Sequence, residues 1–332
     1  MQSRGGELRR LRLFLTITIL ATFVLVIVGG VVRITDSGLG CGPAGSGVEG
    51  WPLCGGRALP LIEENAVIEF SHRLLASVVG VLMLLCVWQA RKIDDRFLRR
   101  GTIAALILVL AQAGLGGLTV ENNLHEYLVA AHLGLAMIFG GLLLTLIWAA
   151  GRERPDAAPR LEGRGLRPLA IAATALVLAT VVAGGVVAGT EEEGVQGGVV
   201  NGAHLACGEE FPGCLGGVLP FGRHGRLADI QLTHRALVYV TTVTILALFG
   251  LALYRRRWSR ELSALAILLA IQLLLGALNV WLGKHPVLIV AHLTVGTLLW
   301  AAAVSTTLRL SPAPETVHRP KATEPKTSAA PA

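Results

Sequence analysis

The sequence predicts an all-α membrane protein whose eight transmembrane helices form two pseudo-symmetric four-helix bundles. Three observations predict this fold: an apolar composition, eight apolar stretches of membrane-spanning length, and an internal repeat that covers four stretches at a time. Hydrophobic residues make up 53% of the 332-residue chain and charged residues 15%, against ~25% charged residues in an average soluble domain. The mean hydropathy of +0.63 also excludes an ordinary soluble domain.

Each apolar stretch is long enough to cross the membrane, since ~20 helical residues span ~30 Å of hydrocarbon. The first stretch follows several arginines, as a signal peptide would. Its apolar run nevertheless exceeds the ~7–15 residues of a signal-peptide core, so we expect a retained helix. The predicted spans are 12–32, 67–90, 102–120, 127–150, 167–189, 229–254, 262–282 and 287–308.

The distribution of basic residues predicts the orientation. Most of the 29 Lys and Arg lie in the N-terminus, in segments 91–100, 152–167 and 255–260, and in the C-terminal tail. By the positive-inside rule these segments face the cytoplasm, and so do both termini. The net charge of +7 is therefore a topology signal, and nucleic acid is not an expected partner.

An internal repeat relates the two halves of the chain. Val-Ala-Ala-His132 recurs as Ile-Val-Ala-His292, and Ser-His72-Arg recurs as Thr-His234-Arg, at offsets of 160 and 162 residues. A repeat of this length is a domain, because solenoid repeats have only ~20–50 residues. The predicted units are an N-terminal bundle (1–150), a cytoplasmic linker (151–166), a C-terminal bundle (167–310) and a disordered cytoplasmic tail (311–332).

The four repeated histidines are expected at one depth in the membrane. An even number of helices per repeat makes both halves enter the membrane in the same direction. The histidines then lie about one turn into helices two, four, six and eight, near the extracytoplasmic face. Within each half the pair can face the interior of a four-helix bundle. The residues are His72, His132, His234 and His292.

Two imidazoles that face each other across a bundle suit the two axial positions of a haem iron. A single histidine in a membrane helix is as often a packing residue as a functional one. Four in repeated register are different, because polar groups in hydrocarbon are costly and tend to mark function. A di-iron centre would need a second Glu-x-x-His motif besides Glu69–His72, and further glutamates. A zinc protease motif starting at His125 would need histidine at Val129. The pattern therefore favours two bis-histidine haem sites.

Four of the five cysteines lie in the loops opposite the basic segments. Cys41 and Cys54 share one loop and Cys207 and Cys214 another, and an oxidising compartment permits a disulfide in each. A structural zinc site is the rival, but the spacings of twelve and six intervening residues do not match its usual ligand spacing. Disulfides Cys41–Cys54 and Cys207–Cys214 are favoured, while Cys86 reads as a buried core residue.

The halves differ beside the first histidine of each pair. Glu69 precedes His72 by three residues, on the same helix face, whereas Gln231 precedes His234. A carboxylate in such a place can act as a general acid or base; the structural alternative is an ion pair, for instance with Arg73. This difference predicts that a catalysed reaction takes place in the N-terminal half and that the haem of the C-terminal half is inert.

Several motifs together resemble the haem A synthase family. They are Val32-Arg-Ile-Thr-Asp-Ser-Gly-Leu-Gly-Cys41, Trp51-Pro-Leu-Cys54, Glu69-Phe-Ser-His72-Arg73, Val129-Ala-Ala-His132, Thr233-His234-Arg235 and Ala291-His292. The resemblance spans all eight predicted helices. It departs from the family in the first cysteine loop, which residues 42–50 lengthen.

The resemblance implies an oxidoreductase that converts the C8 methyl of haem O to a formyl group, giving haem A for cytochrome oxidase. It further implies that His72 and His132 hold haem O, that Glu69 is the catalytic carboxylate, and that His234 and His292 ligate a haem b cofactor. Accessory roles are expected for Arg73, Arg235, His125 and His285.

The resemblance also implies a bacterial cell membrane location, with the cysteine loops and haem sites near the extracytoplasmic face. Expected partners are haem O, a haem O synthase, an electron acceptor, membrane lipid and a second copy of the chain. The main alternative is a two-haem cytochrome b that takes electrons from quinol and modifies neither haem. A transporter ranks last, because it would need broken helices or charges near the midplane.

Overall fold

A computed structural model describes residues 2–60, 62–151, 165–190, 202–283 and 285–311. Within these ranges the chain forms eight long helices and no strand, and each helix is long and apolar enough to span a membrane. The predicted eight-helix membrane fold is thus confirmed. The helices are α1 (Gln2–Ile34), α2 (Glu64–Ala90), α3 (Arg96–Glu121), α4 (Glu126–Ala150), α5 (Arg167–Gly189), α6 (Arg226–Tyr254), α7 (Arg260–Trp281) and α8 (Pro286–Arg309).

Most of the predicted linker and tail, residues 152–164 and 312–332, lies outside the described residues. The cytoplasmic placement of both segments and of the termini stays a prediction.

Several helices begin before their apolar runs, and at α3 a polar cap accounts for the early start. The Asp95 side chain accepts a hydrogen bond from the backbone N–H of Leu98 at 3.0 Å, so α3 begins six residues before its apolar run. Helices α2 and α6 likewise begin early, at Glu64 and Arg226. The first histidine of each pair therefore lies about two turns into its helix, and the expectation of about one turn was wrong.

The helices of each half pack around a core of their own. In the N-terminal half α1 contacts α2 and α4, and α3 contacts the same two helices. The corresponding contacts recur among α5 to α8. One cluster of buried residues is formed by all four helices α1, α2, α3 and α4. A second is formed by α5, α6, α7 and α8 and includes two buried residues from the first half. The division into two pseudo-symmetric bundles stays a prediction.

Helices α1, α4, α5 and α8 form the interface between the halves. Trp300 of α8 is 7% exposed, and its indole N–H donates to the carbonyl of Met137 in α4 at 2.8 Å. Its ring packs against Gly141, where a Cβ would lie 3.2 Å from the ring. A small residue opposite a large one lets these helices approach closely, as is usual between membrane helices.

Polar contacts join the halves at the end of the bundles where α1 stops and α2 begins. Arg33, at the end of α1, donates to the carbonyls of Ala188 (3.1 Å) and Gly189 (3.4 Å) at the end of α5. Glu126, at the start of α4, is ion-paired with Arg226, at the start of α6. We call this the lid end of the bundles, because the cysteine loops cover it.

Replacing Trp300 with alanine should destabilise the packing of the two bundles. The substitution removes the hydrogen bond to Met137 and leaves a cavity, a loss on the order of 3 kcal/mol. A lower thermal unfolding midpoint in detergent would report it. Trp88→Ala is the control, because Trp88 is 55% exposed on α2 and should leave the midpoint nearly unchanged. Equal midpoints for the two variants would contradict the assigned interface.

Candidate functional site

The four histidines lie at the lid end as two pairs, one in each half. The rings of His72 in α2 and His132 in α4 each lie against a helix that contacts both α2 and α4, namely α1 and α3. The rings of His234 in α6 and His292 in α8 lie in the same way against α5 and α7. All four side chains are half-buried. The structure therefore brings the predicted residues together in the predicted pairs.

A glycine on a neighbouring helix faces each histidine ring. A Cβ built on these glycines would lie 3.0–3.3 Å from Cε1 of the ring, which is closer than side chains ordinarily approach. The glycine is thus what allows the ring to lie flat against the next helix. The contacts are Gly29 of α1 with His72, Gly116 of α3 with His132, Gly184 of α5 with His234, and Gly276 of α7 with His292.

Hydrogen bonding orients the rings in the C-terminal half. Nδ1 of His234 lies 3.1 Å from the carbonyl oxygen of Thr180. Since a carbonyl only accepts, Nδ1 donates, and Nε2 keeps the lone pair that a metal would bind. The Gln272 amide nitrogen lies 3.1 Å from Nε2 of His292, and it would have to turn away for that nitrogen to reach an iron.

In the N-terminal half the corresponding glutamine binds elsewhere. The Gln112 amide donates to the carbonyl of His132 at 2.7 Å and does not touch the ring. The buried Nδ1 atoms of His132 and of its counterpart His292 have no hydrogen-bond partner. The ring of His72 lies beside the backbone of Leu25 in α1, as the ring of His234 lies beside that of Thr180 in α5, so the two halves place their rings in similar ways.

These features fit a haem in each half. Neutral imidazoles from two helices are the usual axial donors of a b-type haem iron, and the glycines leave room for the rings between neighbouring helices. Among the described residues, no three His, Cys, Asp or Glu side chains are placed to hold a bare metal ion.

Glu69 is 3% exposed, and both of its carboxylate oxygens are engaged. Oε1 accepts a hydrogen bond from Arg73 in an ion pair, and Oε2 accepts one from the backbone N–H of Cys41 at 2.7 Å. The ion pair with Arg73 is the structural alternative considered from the sequence. The carboxylate thus links α2 to the first cysteine loop, one turn from His72.

Arg73 and Arg235 hold the two cysteine loops down in the same way. Arg73 donates to the carbonyls of Gly50 (2.7 Å) and Leu53 (2.8 Å). Arg235 donates to the carbonyls of Glu210 (2.8 Å) and Gly213, which are the repeat equivalents at an offset of 160. The lengthened segment 42–50 therefore leaves this anchor unchanged.

The equivalent of the Glu69 ion pair is missing in the second half. Gln231 is 5% exposed, and its buried Oε1 has no hydrogen-bond partner. Nη2 of Arg235, whose counterpart in Arg73 binds Glu69, is also buried without a partner. The halves thus share their histidines, glycines and arginine anchors, and they differ in the carboxylate.

Both cysteine loops are closed by a disulfide. The Cα atoms are 4.3 Å apart in Cys41–Cys54 and 4.7 Å apart in Cys207–Cys214, and Cys86 is free and buried in α2. Trp51 of the first loop lies over Gly117 at the end of α3, where a Cβ would be 2.9 Å from its ring. We call residues 35–60 the first lid and residues 202–225 the second lid.

His125 and His285 lie outside the histidine pairs. They are the N-cap residues of α4 and α8, and both are exposed. Nδ1 of His125 accepts a hydrogen bond from the backbone N–H of Tyr127 at 3.4 Å. Neither ring contributes to the bundle interior, so among the roles expected for them that of a surface residue fits the structure.

Sequence reasoning missed the role of the glycines and missed one histidine. The sequence does contain a signal for two of the glycines, because Gly29-Gly30-Val-Val recurs as Gly184-Gly185-Val-Val at an offset of 155. His204, in the second lid, lies in a short 3-10 helix that packs against α5 and α6. It has no histidine counterpart in the first half, so a search for repeated residues could not find it.

Comparisons with known proteins agree along most of the chain. The profile of the COX15-CtaA family, described as cytochrome oxidase assembly protein, matches residues 12–304. A heme A synthase of Geobacillus kaustophilus is 29% identical over 299 residues, which cover 86% of each chain. A heme A synthase of Shouchella clausii is 30% identical over 267 residues, which cover 77% of this chain and 81% of the relative.

Replacing Gly116 with alanine should weaken haem binding in the N-terminal half. The new Cβ would lie 3.1 Å from Cε1 of His132 and displace the ring, which we expect to lower affinity roughly tenfold. Haem bound per polypeptide, measured by absorbance, checks this. Gly114→Ala is the matched control on the same helix, because a Cβ there meets nothing within 4 Å. Equal haem contents in the two variants would refute the role of the glycine contact.

Proposed function

The chain belongs to the COX15-CtaA family of cytochrome oxidase assembly proteins, and from that membership we propose that its N-terminal bundle binds and oxidises haem O. The protein is a haem A synthase, a multi-pass membrane oxidoreductase whose substrate is haem O and whose product is haem A. What carries the assignment of the bundle is Glu69, a buried carboxylate beside one histidine pair and absent beside the other.

In this proposal His72 and His132 are the axial ligands of the substrate haem. The rings reach it from α2 and α4, and Gly29 and Gly116 set their depth against the neighbouring helices.

His234 and His292 are proposed to ligate a resident haem b. The Thr180 carbonyl fixes the ring of His234, with the tautomer that presents Nε2 to iron. When bound, this haem supplies a one-electron carrier between the reaction and an external electron acceptor. Gln272 then gives up its contact with His292.

The proposed reaction is a four-electron oxidation of a methyl group. Two successive hydroxylations give a geminal diol, which loses water to leave the aldehyde, so that CH₃ and one H₂O become CHO, four protons and four electrons. The electrons pass to the acceptor. Each hydroxylation removes hydrogen from the methyl carbon, and a group that takes up protons or stabilises positive charge beside that carbon is therefore needed.

Glu69 is proposed to fill that role. Arg73 and the Cys41 N–H each bind a different oxygen of the carboxylate, so its orientation is fixed before substrate arrives. The same arginine anchors the first lid through Gly50 and Leu53. Lid position and carboxylate position are thereby linked through one guanidinium.

We propose that the lid end faces the extracytoplasmic side of a bacterial cell membrane, as the basic segments at the other end indicate. Haem O from a haem O synthase would then reach the N-terminal bundle through the membrane. The alternative of a simple two-haem cytochrome b is disfavoured, because it gives no reason for a carboxylate beside only one histidine pair.

Replacing Glu69 with glutamine should stop formyl production and leave haem bound. Loss of a general acid or base typically lowers rates by about 10²–10⁴, so haem A should fall to about a hundredth of the wild-type amount or less. The measurement is chromatography of haems extracted from membranes that also contain a haem O supply. Haem A at the wild-type level in Glu69→Gln would overturn the assigned role.

Gln231→Glu is the matched control, because it changes the equivalent position of the other bundle. It should leave the yield of haem A unchanged. If the wild-type chain itself left haem O unmodified in this assay, the proposed activity would be wrong.

A further inference from the structure

His204 occupies a fixed place in the second lid. It lies in a short 3-10 helix, Ala203–Leu205, and its Nε2 atom is buried although the residue as a whole is half-buried. The short helix packs against both α5 and α6. The ring is therefore directed into the protein from a loop that covers the C-terminal bundle.

The chain on both sides of His204 is tied to the bundle. The backbone N–H of Ala203 donates to the hydroxyl of Thr190 at 2.9 Å, and that hydroxyl donates to the carbonyl of Val187 in α5 at 2.7 Å. Three residues after His204, Cys207 is fully buried in its disulfide. These contacts leave the imidazole little freedom to move away from the bundle.

His204 lies beside the C-terminal histidine pair, because its short helix packs against α6, which carries His234, and against α5, whose Thr180 carbonyl binds the ring of His234. A haem iron held by those two residues already has six ligands, four from the porphyrin and two axial. The iron therefore has no position for a third imidazole, and an imidazole at the lid end can reach the haem only at its edge. The polar groups of that edge are the propionate carboxylates, which an imidazole N–H binds in a charge-assisted hydrogen bond.

The first lid has no equivalent side chain. It contains a matching 3-10 helix, Ser37–Leu39, and Gly38 stands three residues before Cys41 just as His204 stands three residues before Cys207. A Cβ at Gly38 would lie 2.8 Å from the side chain of Leu124. The first lid therefore has no room for an imidazole at this place.

We propose that His204 hydrogen-bonds a propionate of the haem held by His234 and His292 and thereby retains that haem as a permanent cofactor. The first lid, with Gly38 at the equivalent place, makes no such bond and lets the haem of the N-terminal bundle exchange. This inference rests on the proposed function, since it takes the C-terminal pair as a haem site.

The test measures haem release. Full-length protein carrying His72→Ala, so that the C-terminal site alone is complete, is loaded with haem b in detergent, and transfer of haem to excess apomyoglobin is followed by absorbance. His204→Ala should release haem roughly tenfold to a hundredfold faster, the range for losing a hydrogen bond to a charged group. His204→Gln, which keeps an N–H donor, should stay within about threefold of the parent by the same reasoning.

His224→Ala is the matched control, because His224 is an exposed histidine of the same lid and should release haem at the parent rate. Release from His204→Ala at the parent rate, or equal acceleration in the alanine and glutamine variants, would overturn the role of His204. A separate variant, His292→Ala, tests the premise: if it retained haem as well as the parent does, the assignment of the C-terminal haem ligands would fall instead.

Discussion

The contact between a histidine ring and a glycine of the next helix is the constraint on which the rest of this structure depends. It occurs four times, at Gly29, Gly116, Gly184 and Gly276, and each time it sets how far the imidazole can reach into its bundle. Helix spacing, ring depth and metal-binding geometry are therefore coupled. A larger residue at any of these positions would change all three at once.

The lids are built on this shared scaffold and give the two sites different characters. One arginine anchors each lid through the same two carbonyl positions, and one disulfide closes it. Around the first site, the remaining guanidinium nitrogen of the arginine, Nη2 of Arg73, binds the carboxylate of Glu69. Around the second site, the lid carries His204. In the two proposals, single side chains on an otherwise repeated frame would account for reactivity in one half and for haem retention in the other.

Hydropathy and the internal repeat were enough to predict the fold, because both follow from residue properties along one chain. The bounds of α5 were predicted as observed, whereas the start of α3 was missed because Asp95 and the following polar residues continue the helix past the apolar run. The histidine pairs were visible as repeated residues. The glycine contacts were not assigned, because they depend on the register between neighbouring helices. His204 escaped notice because a repeat search finds only what the halves share.

The packing of Trp300 against Gly141 has a consequence for the proposed electron path. It fixes the spacing of α4 and α8, the helices that carry His132 and His292, the second histidine of each pair. In the proposed function an electron would pass from one histidine pair to the other. The indole lodged against a glycine, two turns below the histidine layer, would hold the distance of that transfer constant.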